Sequence, residues 1–227
     1  MTPNNIVNMA RLLGLHVIAV TDHQAVDNVP AVMQVAARYG ITCVPGIEVQ
    51  TKEEVHLLAY FPDVWNLQRL AQEVQAHFGD DRPASPYFGQ QLIFDETDHV
   101  VGEHQVLLHQ STMLTVEQVW ELVEQLGGCC VPAHMDRPAF SLLSQLGFLP
   151  KTLPIATVEY SQAYFARQGA LFTDWEPLAI ISSDAHSLAQ MVTPGNSLLH
   201  RTLCTPQVIC QALKEGDRRN VRTCLNT

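Results

Sequence analysis

Four apolar runs in this sequence each end in residues of the types that bind transition metals. These residues are His23, Glu48, His134 and the pair Asp184 and His186. Imidazole and carboxylate ligands together suit Zn²⁺, Mn²⁺ or Fe²⁺ better than Ca²⁺ or Mg²⁺, which prefer oxygen ligands alone. In an extended Asp-x-His segment both side chains lie on one side, so the last pair can bind one ion or two adjacent ions. The sequence therefore predicts a site for divalent transition-metal ions.

The apolar runs alternate with segments of helical character, which predicts an α/β fold with a parallel sheet. A first helix is expected between Thr2 and Gly14, and an amphipathic helix between Thr115, as its N-cap, and Gly127. The carboxyl ends of parallel strands gather on one face, where active sites form. We therefore expect the metal-binding residue types at the run ends to converge. His56, near the start of another strand-like run, could reach the same face from an adjoining strand.

Residues 79–114 lack a regular pattern and are rich in turn-forming residues, so we interpret them as an insertion or an elaborated connection. His99, His104 and His109 lie in this stretch at a spacing that matches no zinc motif. We expect them to be solvated loop or strand histidines. Because the sequence shows no internal repeat and no linker, residues 1–227 are expected to form a single domain.

The composition limits the kinds of partner. The chain has 227 residues with 13 Lys plus Arg against 23 Asp plus Glu, which gives a net charge of -10. That balance argues against a large nucleic-acid surface or an anionic membrane as the main partner. It allows a small phosphorylated substrate, because bound metal ions supply positive charge locally. The start of the chain does not resemble a signal peptide and no apolar run approaches ~20 residues, so a cytoplasmic location is expected.

Five short motifs together resemble, in order, those of the PHP (polymerase and histidinol phosphatase) family. The motifs are Val-Thr-Asp22-His23, Pro-Gly-Ile-Glu48, His56-Leu-Leu-Ala-Tyr, Pro-Ala-His134 and Ser-Ser-Asp184-Ala-His186. The resemblance runs from about the first residue to roughly position 190. It implies a distorted (β/α)7 TIM-like barrel, two or three divalent ions (Mn²⁺, Zn²⁺ or Fe²⁺) and hydrolysis of phosphoesters by a metal-activated hydroxide.

The resemblance also implies roles for single residues, with Glu48 bridging the ions and Asp184 and His186 essential for catalysis. The implied metal ligands are His23, Glu48, His56, His134, Asp184 and His186. Arg137 could contact a phosphate oxygen with its guanidinium fork, or could be an ordinary surface arginine. The implied substrate is a small phosphorylated metabolite, a nucleotide or a short oligonucleotide.

One feature of the family is missing from this sequence. The family's barrel opens with a strand that carries His-x-His, and no such segment is present. Either the start codon was assigned too far downstream or the barrel lacks that strand. We favour the first explanation, because a parallel barrel without one strand exposes unpaired edges. Two rival functions stay open, namely a metal-dependent amidohydrolase and a catalytically impaired fold that binds metal or a ligand without turnover. Glu48 as a bridge and the final Asp-x-His favour phosphoester chemistry over the amidohydrolase.

Overall fold

The computed structural model describes residues 1–79, 83, 89–161, 177–191, 196–200 and 205–224, and it has the α/β class that the alternating pattern predicts. The helices are α1 (Pro3–Leu12), α2 (Val29–Arg38), α3 (Val64–Ala76), α4 (Val116–Gln125), α5 (Leu142–Leu146) and α6 (Pro206–Glu215), with a short 3₁₀ turn at Leu188–Met191. The strands are β1 (Val17–Val20), β2 (Thr42–Gln50), β3 (His56–Tyr60), β4 (Leu92–Phe94), β5 (Val100–Glu103), β6 (Cys129–Pro132), β7 (Thr157–Ser161), β8 (Leu178–Ser182), β9 (Asn196–Leu199) and β10 (Val221–Cys224).

The largest sheet has the strand order β1-β2-β3-β6 and is mixed, not parallel. β1 and β2 are parallel, whereas β3 is antiparallel to both β2 and β6. The prediction of a parallel sheet is therefore wrong for β3. The physical reason is the connection between β2 and β3, which covers only residues 51–55. A parallel crossover needs a dozen or more residues, so this short connection can form only a hairpin.

The other strands form two-stranded sheets. β7 and β8 are parallel, β9 and β10 are antiparallel, and β4 and β5 form an antiparallel hairpin. Over the described residues the ladders form four separate sheets, without the continuous pairing of a closed barrel. The seven-stranded barrel that the family resemblance implies thus stays a prediction.

β3 is buried on both faces and connects two parts of the core. Leu57 and Phe61 pack into a cluster with α3 and α4, whereas Leu58 and Tyr60 face a cluster formed with β8 and α6. Successive side chains of a strand point to opposite faces, so a strand buried on both sides is apolar throughout. This explains why the sequence of β3 shows an apolar run instead of alternation. It also fixes the start of β3, and with it His56, inside the protein.

Helix ends agree with the sequence at α4 and differ at α1. Thr115 caps α4 in a reciprocal capping box with Gln118, as its position predicts. Thr2 occupies the N-cap position of α1, but its hydroxyl donates to Asp98 Oδ2 at 2.7 Å instead of capping the helix. Asp98 Oδ1 accepts from the Asn4 N–H at 3.0 Å, so the β4–β5 hairpin caps α1 from a distance in sequence. Among the described helices, none has both the length and the apolar character needed to cross a bilayer.

Candidate metal centre

The Glu48 carboxylate lies at the centre of a cluster of imidazoles. Its Oε1 is 3.0 Å from His56 Nδ1 and 3.5 Å from His134 Nε2. Its Oε2 is 3.4 Å from His23 Nδ1. One ligand atom from each of His23, Glu48 and His56 falls within 4.8 Å of the others. The structure therefore brings together four of the six residues that the sequence predicts as metal ligands.

The mixed sheet positions these four side chains. The pairing of β1 with β2 extends past the end of β1, so that His23 lies opposite Glu48. His56 begins β3, and its carbonyl accepts from the Ala133 N–H at 3.1 Å, just beyond β6. This contact places His134 next to His56, with 3.1 Å between His134 Nε2 and His56 Nδ1. The pairings of β1 with β2, of β2 with β3 and of β3 with β6 thus bring these polar side chains to one point.

The electrostatics of the cluster suit a bound cation. Burial lowers the pKa of His23 to about 4, so its imidazole is neutral near pH 7. Burial alone would raise the pKa of Glu48, but hydrogen bonds from His134 and His56 outweigh it and hold that pKa well below its usual range. His23 Nδ1 and His134 Nδ1 are buried without a hydrogen bond to any described residue. Buried imidazole nitrogens without a hydrogen bond and an ionised carboxylate are groups that bind metals, so the donor set fits divalent transition-metal ions.

The remaining two predicted ligands lie at the edge of this cluster. Asp184 Oδ2 forms an ion pair with Arg137 Nη1 at 2.6 Å. The ring centroid of His186 is 6.0 Å from that of His23, and His186 Nδ1 lies 2.9 Å from the Asp184 carbonyl oxygen. Asp184 has a left-handed backbone (φ 45°), as does His134 (φ 28°). Non-glycine residues in this region cost about 1–3 kcal/mol each and occur preferentially at functional sites.

The cluster opens into a cavity of about 810 Å³. Its lining includes His23, Glu48, Asp184 and His186 together with core side chains such as Ile180. A volume of this size is in the range of small-molecule sites. The arrangement therefore offers a metal-binding centre on the wall of a pocket that a small substrate could enter.

Glu159 belongs to the site but was not predicted from the sequence. Its Oε2 accepts from the His134 N–H at 3.0 Å, and its own carbonyl accepts from the Met135 N–H at 2.8 Å. Burial raises the pKa of Glu159 to about 7, although a hydrogen bond with Ser182 acts in the opposite direction. The sequence signal was a carboxylate between Val158 and Tyr160 in a segment predicted to be a strand. Such a residue is costly to bury and suggests a hydrogen-bonding role.

His109 is a second residue of the site that the sequence did not predict. It is exposed on a loop, as expected, but its ring centroid lies 4.7 Å from that of His23 in an edge-to-face arrangement. Burial and the neighbouring imidazoles of His56 and His186 lower the pKa of His109. His99, by contrast, is an exposed residue of the β4–β5 turn. The irregular stretch therefore contributes to the site, which no pattern in that stretch indicated.

The fold is similar to the folds of solved structures that are described as proposed or predicted metal-dependent phosphoesterases, one of them PHP-like. A two-domain protein from Bacteroides vulgatus that contains a predicted phosphoesterase of this kind matches with a TM-score of 0.54, at 14% identity over 98% of this chain and 60% of that protein. A proposed metal-dependent phosphoesterase from Bifidobacterium adolescentis matches with a TM-score of 0.51, at 16% identity over 82% of each chain.

Endonuclease Q from Pyrococcus furiosus, described as a lesion-specific endonuclease, has the same fold. Its TM-score is 0.57, at 18% identity over 94% of this chain and 51% of that protein. This chain thus spans about half the length of Endonuclease Q. No protein-family model and no curated protein matches the sequence. At identities below 20% the structural likeness shows the fold, and function must be argued from the site.

Proposed function

We propose that this chain is a metal-dependent phosphoesterase of the PHP family that hydrolyses a small phosphorylated compound. The observation that carries the proposal is the contact of one buried carboxylate, Glu48, with three imidazoles. Its two oxygens face different rings, Oε1 towards His56 and His134 and Oε2 towards His23. A carboxylate used from both sides is suited to bridge two ions.

We assign the ligand set on this geometry. The proposed ligands are His23, Glu48, His56, His134, Asp184 and His186. Two or three divalent ions (Mn²⁺, Zn²⁺ or Fe²⁺), when bound, would supply a nucleophile at neutral pH and neutralise charge on the phosphoryl oxygens. Asp184 and His186 are the more accessible ligands, with side chains 20% and 59% exposed against 5% for Glu48. They are therefore the ligands that a substrate would approach, which supports their predicted catalytic importance.

Arg137 is proposed to bind the phosphoryl group of the substrate. Its guanidinium is 41% exposed and is fixed beside the site by the ion pair with Asp184. A guanidinium fork has more donors than one carboxylate oxygen uses, so Arg137 can hold Asp184 and still donate to a phosphate oxygen.

The substrate class follows from the cavity and the charge of the chain. A cavity of about 810 Å³ accommodates a phosphorylated metabolite, a nucleotide or the end of a short oligonucleotide. Endonuclease Q has been solved with a 27-mer duplex that carries an abasic lesion at the active site. A net charge of -10 opposes an extended duplex surface on this chain. We therefore propose a small substrate in place of long DNA.

The finer fold belongs to the same proposal. We propose that residues 1–227 form one catalytic domain of the distorted (β/α)7 type, in which the parallel strands β1, β2, β7 and β8 are parts of one barrel wall. The insertion at 79–114 would then be an addition at the rim of the site. The apposition of His23, which follows β1, with His186, which follows β8, supports this arrangement.

The test combines metal content with a panel of phosphoesters. Protein stripped with a chelator is reloaded with Mn²⁺ or Zn²⁺ and assayed on an aryl phosphate, an aryl phosphodiester, a nucleoside monophosphate, a short oligonucleotide and a duplex with an abasic lesion. We expect bound metal and hydrolysis of a small substrate, both lost in Glu48→Gln and retained in His99→Ala. Metal binding without turnover of any substrate would favour the catalytically impaired fold. Absence of metal binding would refute the proposal, and cleavage confined to the duplex would refute the substrate class.

A further inference from the structure

The loop between β5 and α4 carries His109 to the proposed metal site. The His109 ring lies 4.7 Å from the His23 ring, and the His23 ring in turn lies 5.1 Å from that of His56. His109 lines the same cavity as Glu48 and His186. An imidazole from the insertion is thus next to a predicted ligand, on the open side of the cluster.

The loop is held in place from the buried side by one glutamine. Gln24 is fully buried, and its Nε2 donates to the carbonyl oxygens of Gln110 at 2.7 Å and of Gln50 at 3.1 Å. Its backbone is left-handed (φ 56°), directly after His23. The side chain next to one predicted ligand therefore fixes the residue next to His109. Burying an amide is favourable only when it makes such hydrogen bonds, so this contact is specific to one loop position.

Two further glutamines hold the same loop. Gln91 Oε1 accepts from the Leu108 N–H at 2.8 Å, and Gln91 Nε2 donates to the Val106 carbonyl at the same distance. Gln50 Nε2 donates to Ser111 Oγ at 2.9 Å. The residues on both sides of His109 are thereby tied to Gln50 at the end of β2 and to Gln91, which directly precedes β4. A ligand supplied by a loop needs this kind of support, because metal sites depend on precise placement by surrounding hydrogen bonds.

We infer that His109 is a further ligand of the divalent metal site, supplied by the insertion and binding an ion together with His23. The inference rests on the proposed function, because it assumes that the Glu48 cluster binds metal. Several imidazoles in contact, with buried nitrogens of His23 and His134 that make no hydrogen bond within the described part of the chain, are an arrangement that a shared cation would stabilise. The insertion would then supply one ligand of the metal site through His109.

The test is a Co²⁺ titration of the full chain after removal of metal by a chelator. Co²⁺ reports its ligands through visible absorption, and calorimetry gives the affinity independently of turnover. Wild type is compared with His109→Ala, His109→Asn and the matched control His99→Ala, which removes an exposed histidine of the same insertion. Urea unfolding of the four metal-free proteins checks that their free energies of unfolding are similar.

We expect both His109 variants to bind Co²⁺ at least about tenfold more weakly at one ion and to change its visible spectrum, with His99→Ala unchanged. The inference is refuted if wild type binds Co²⁺ and the His109 variants match it in affinity and spectrum. It is also refuted if the His109 variants bind Co²⁺ like wild type but bind inorganic phosphate more weakly, which would make His109 a substrate contact. Failure of wild type itself to bind Co²⁺ would instead refute the proposed function.

Discussion

Replacing Glu159 by glutamine should stabilise the metal-free protein at neutral pH and have little effect in acid. Glu159 is 4% exposed, and burial raises its pKa from 4.5 to about 7. Glutamine has nearly the same shape and its carbonyl can still accept from the His134 N–H. The variant therefore removes the ionisation of this side chain and little else.

The size of the effect follows from linkage between protonation and folding. Between pH 4.5 and 7 the folded protein retains a proton on Glu159 that the unfolded chain has released. Stability from this group is thus complete below pH 4.5 and is lost as the pH rises through the folded pKa, at about 1.4 kcal/mol per pH unit. The total loss in wild type reaches about 3 kcal/mol by pH 7 and stays constant above it. Glu159→Gln should not show this loss.

Another group of the site has the opposite dependence. The pKa of His23 is lowered from 6.5 to about 4, so His23 makes the folded protein more stable as the pH rises between these values. Wild type and Glu159→Gln share this contribution, and their difference in stability isolates Glu159. The pH dependence of the stability of wild type alone would not isolate Glu159. The contributions of Glu159 and His23 to the free energy of unfolding have opposite slopes and largely cancel between pH 4.5 and 6.5.

The measurement is urea unfolding of both proteins in chelator at pH 4.5, 5.5, 6.5 and 7.5. The free energy of unfolding of Glu159→Gln minus that of wild type should grow steadily with pH. Glu121→Gln, which removes an exposed carboxylate of α4, is the control for the loss of one charge. A difference that does not change with pH would show that folded Glu159 is already ionised in weak acid, and the reasoning from burial would be wrong.

Three further predictions concern single contacts. Arg137→Ala should weaken inhibition by inorganic phosphate about tenfold while Mn²⁺ binding persists, and unchanged inhibition would remove Arg137 from the substrate site. Gly128→Ala should lower the free energy of unfolding by about 1–3 kcal/mol in urea, because the new Cβ would lie 2.7 Å from Phe61 Cζ. Asp98→Ala should cost about 1 kcal/mol in the same assay, since the start of α1 loses its hydrogen bonds to the β4–β5 hairpin. An unchanged free energy of unfolding in Gly128→Ala would contradict the close packing against Phe61, and an unchanged value in Asp98→Ala would contradict the stabilising role of its hydrogen bonds to α1.

The convergence of the strand-end residues was predictable because it depends on pattern alone. An apolar run that ends in a polar residue indicates a buried strand that emerges at an active face, and His23 and His134 follow this rule. Glu48 lies two residues before the end of β2 and reaches the same point. His56 was expected to reach this face from an adjoining strand, and it does so through a hairpin that was not predicted. A connection of five residues after β2 forces a hairpin, and a hairpin places the start of β3 beside the end of β2.

The residues that were missed depend on tertiary contacts. His109 lies in a stretch without periodicity, and its position is set by Gln24 and Gln91, which are 85 and 18 residues away in sequence. Nothing local determines that geometry. Glu159, by contrast, lies in β7, which the sequence does predict as a strand, but a strand pattern gives no role to a buried carboxylate. Its function is to accept from the His134 N–H, which depends on how β6 and β7 pack.

The exposure of the proposed ligands has a consequence for the order of binding. His134, Glu48 and His56 have side chains only 3%, 5% and 8% exposed, whereas His186 is 59% exposed. The buried ligands lie on strands or directly after them and are already in contact, so little conformational entropy is lost when they bind an ion. Asp184 and His186 lie on a loop after β8, where Asp184 pairs with Arg137 and the His186 side chain is mostly exposed. For the proposed site with two or more ions, we therefore expect the buried ligands to bind the first ion and Asp184 and His186 to take part in binding the last, which would place the more weakly held ion where the proposed substrate enters.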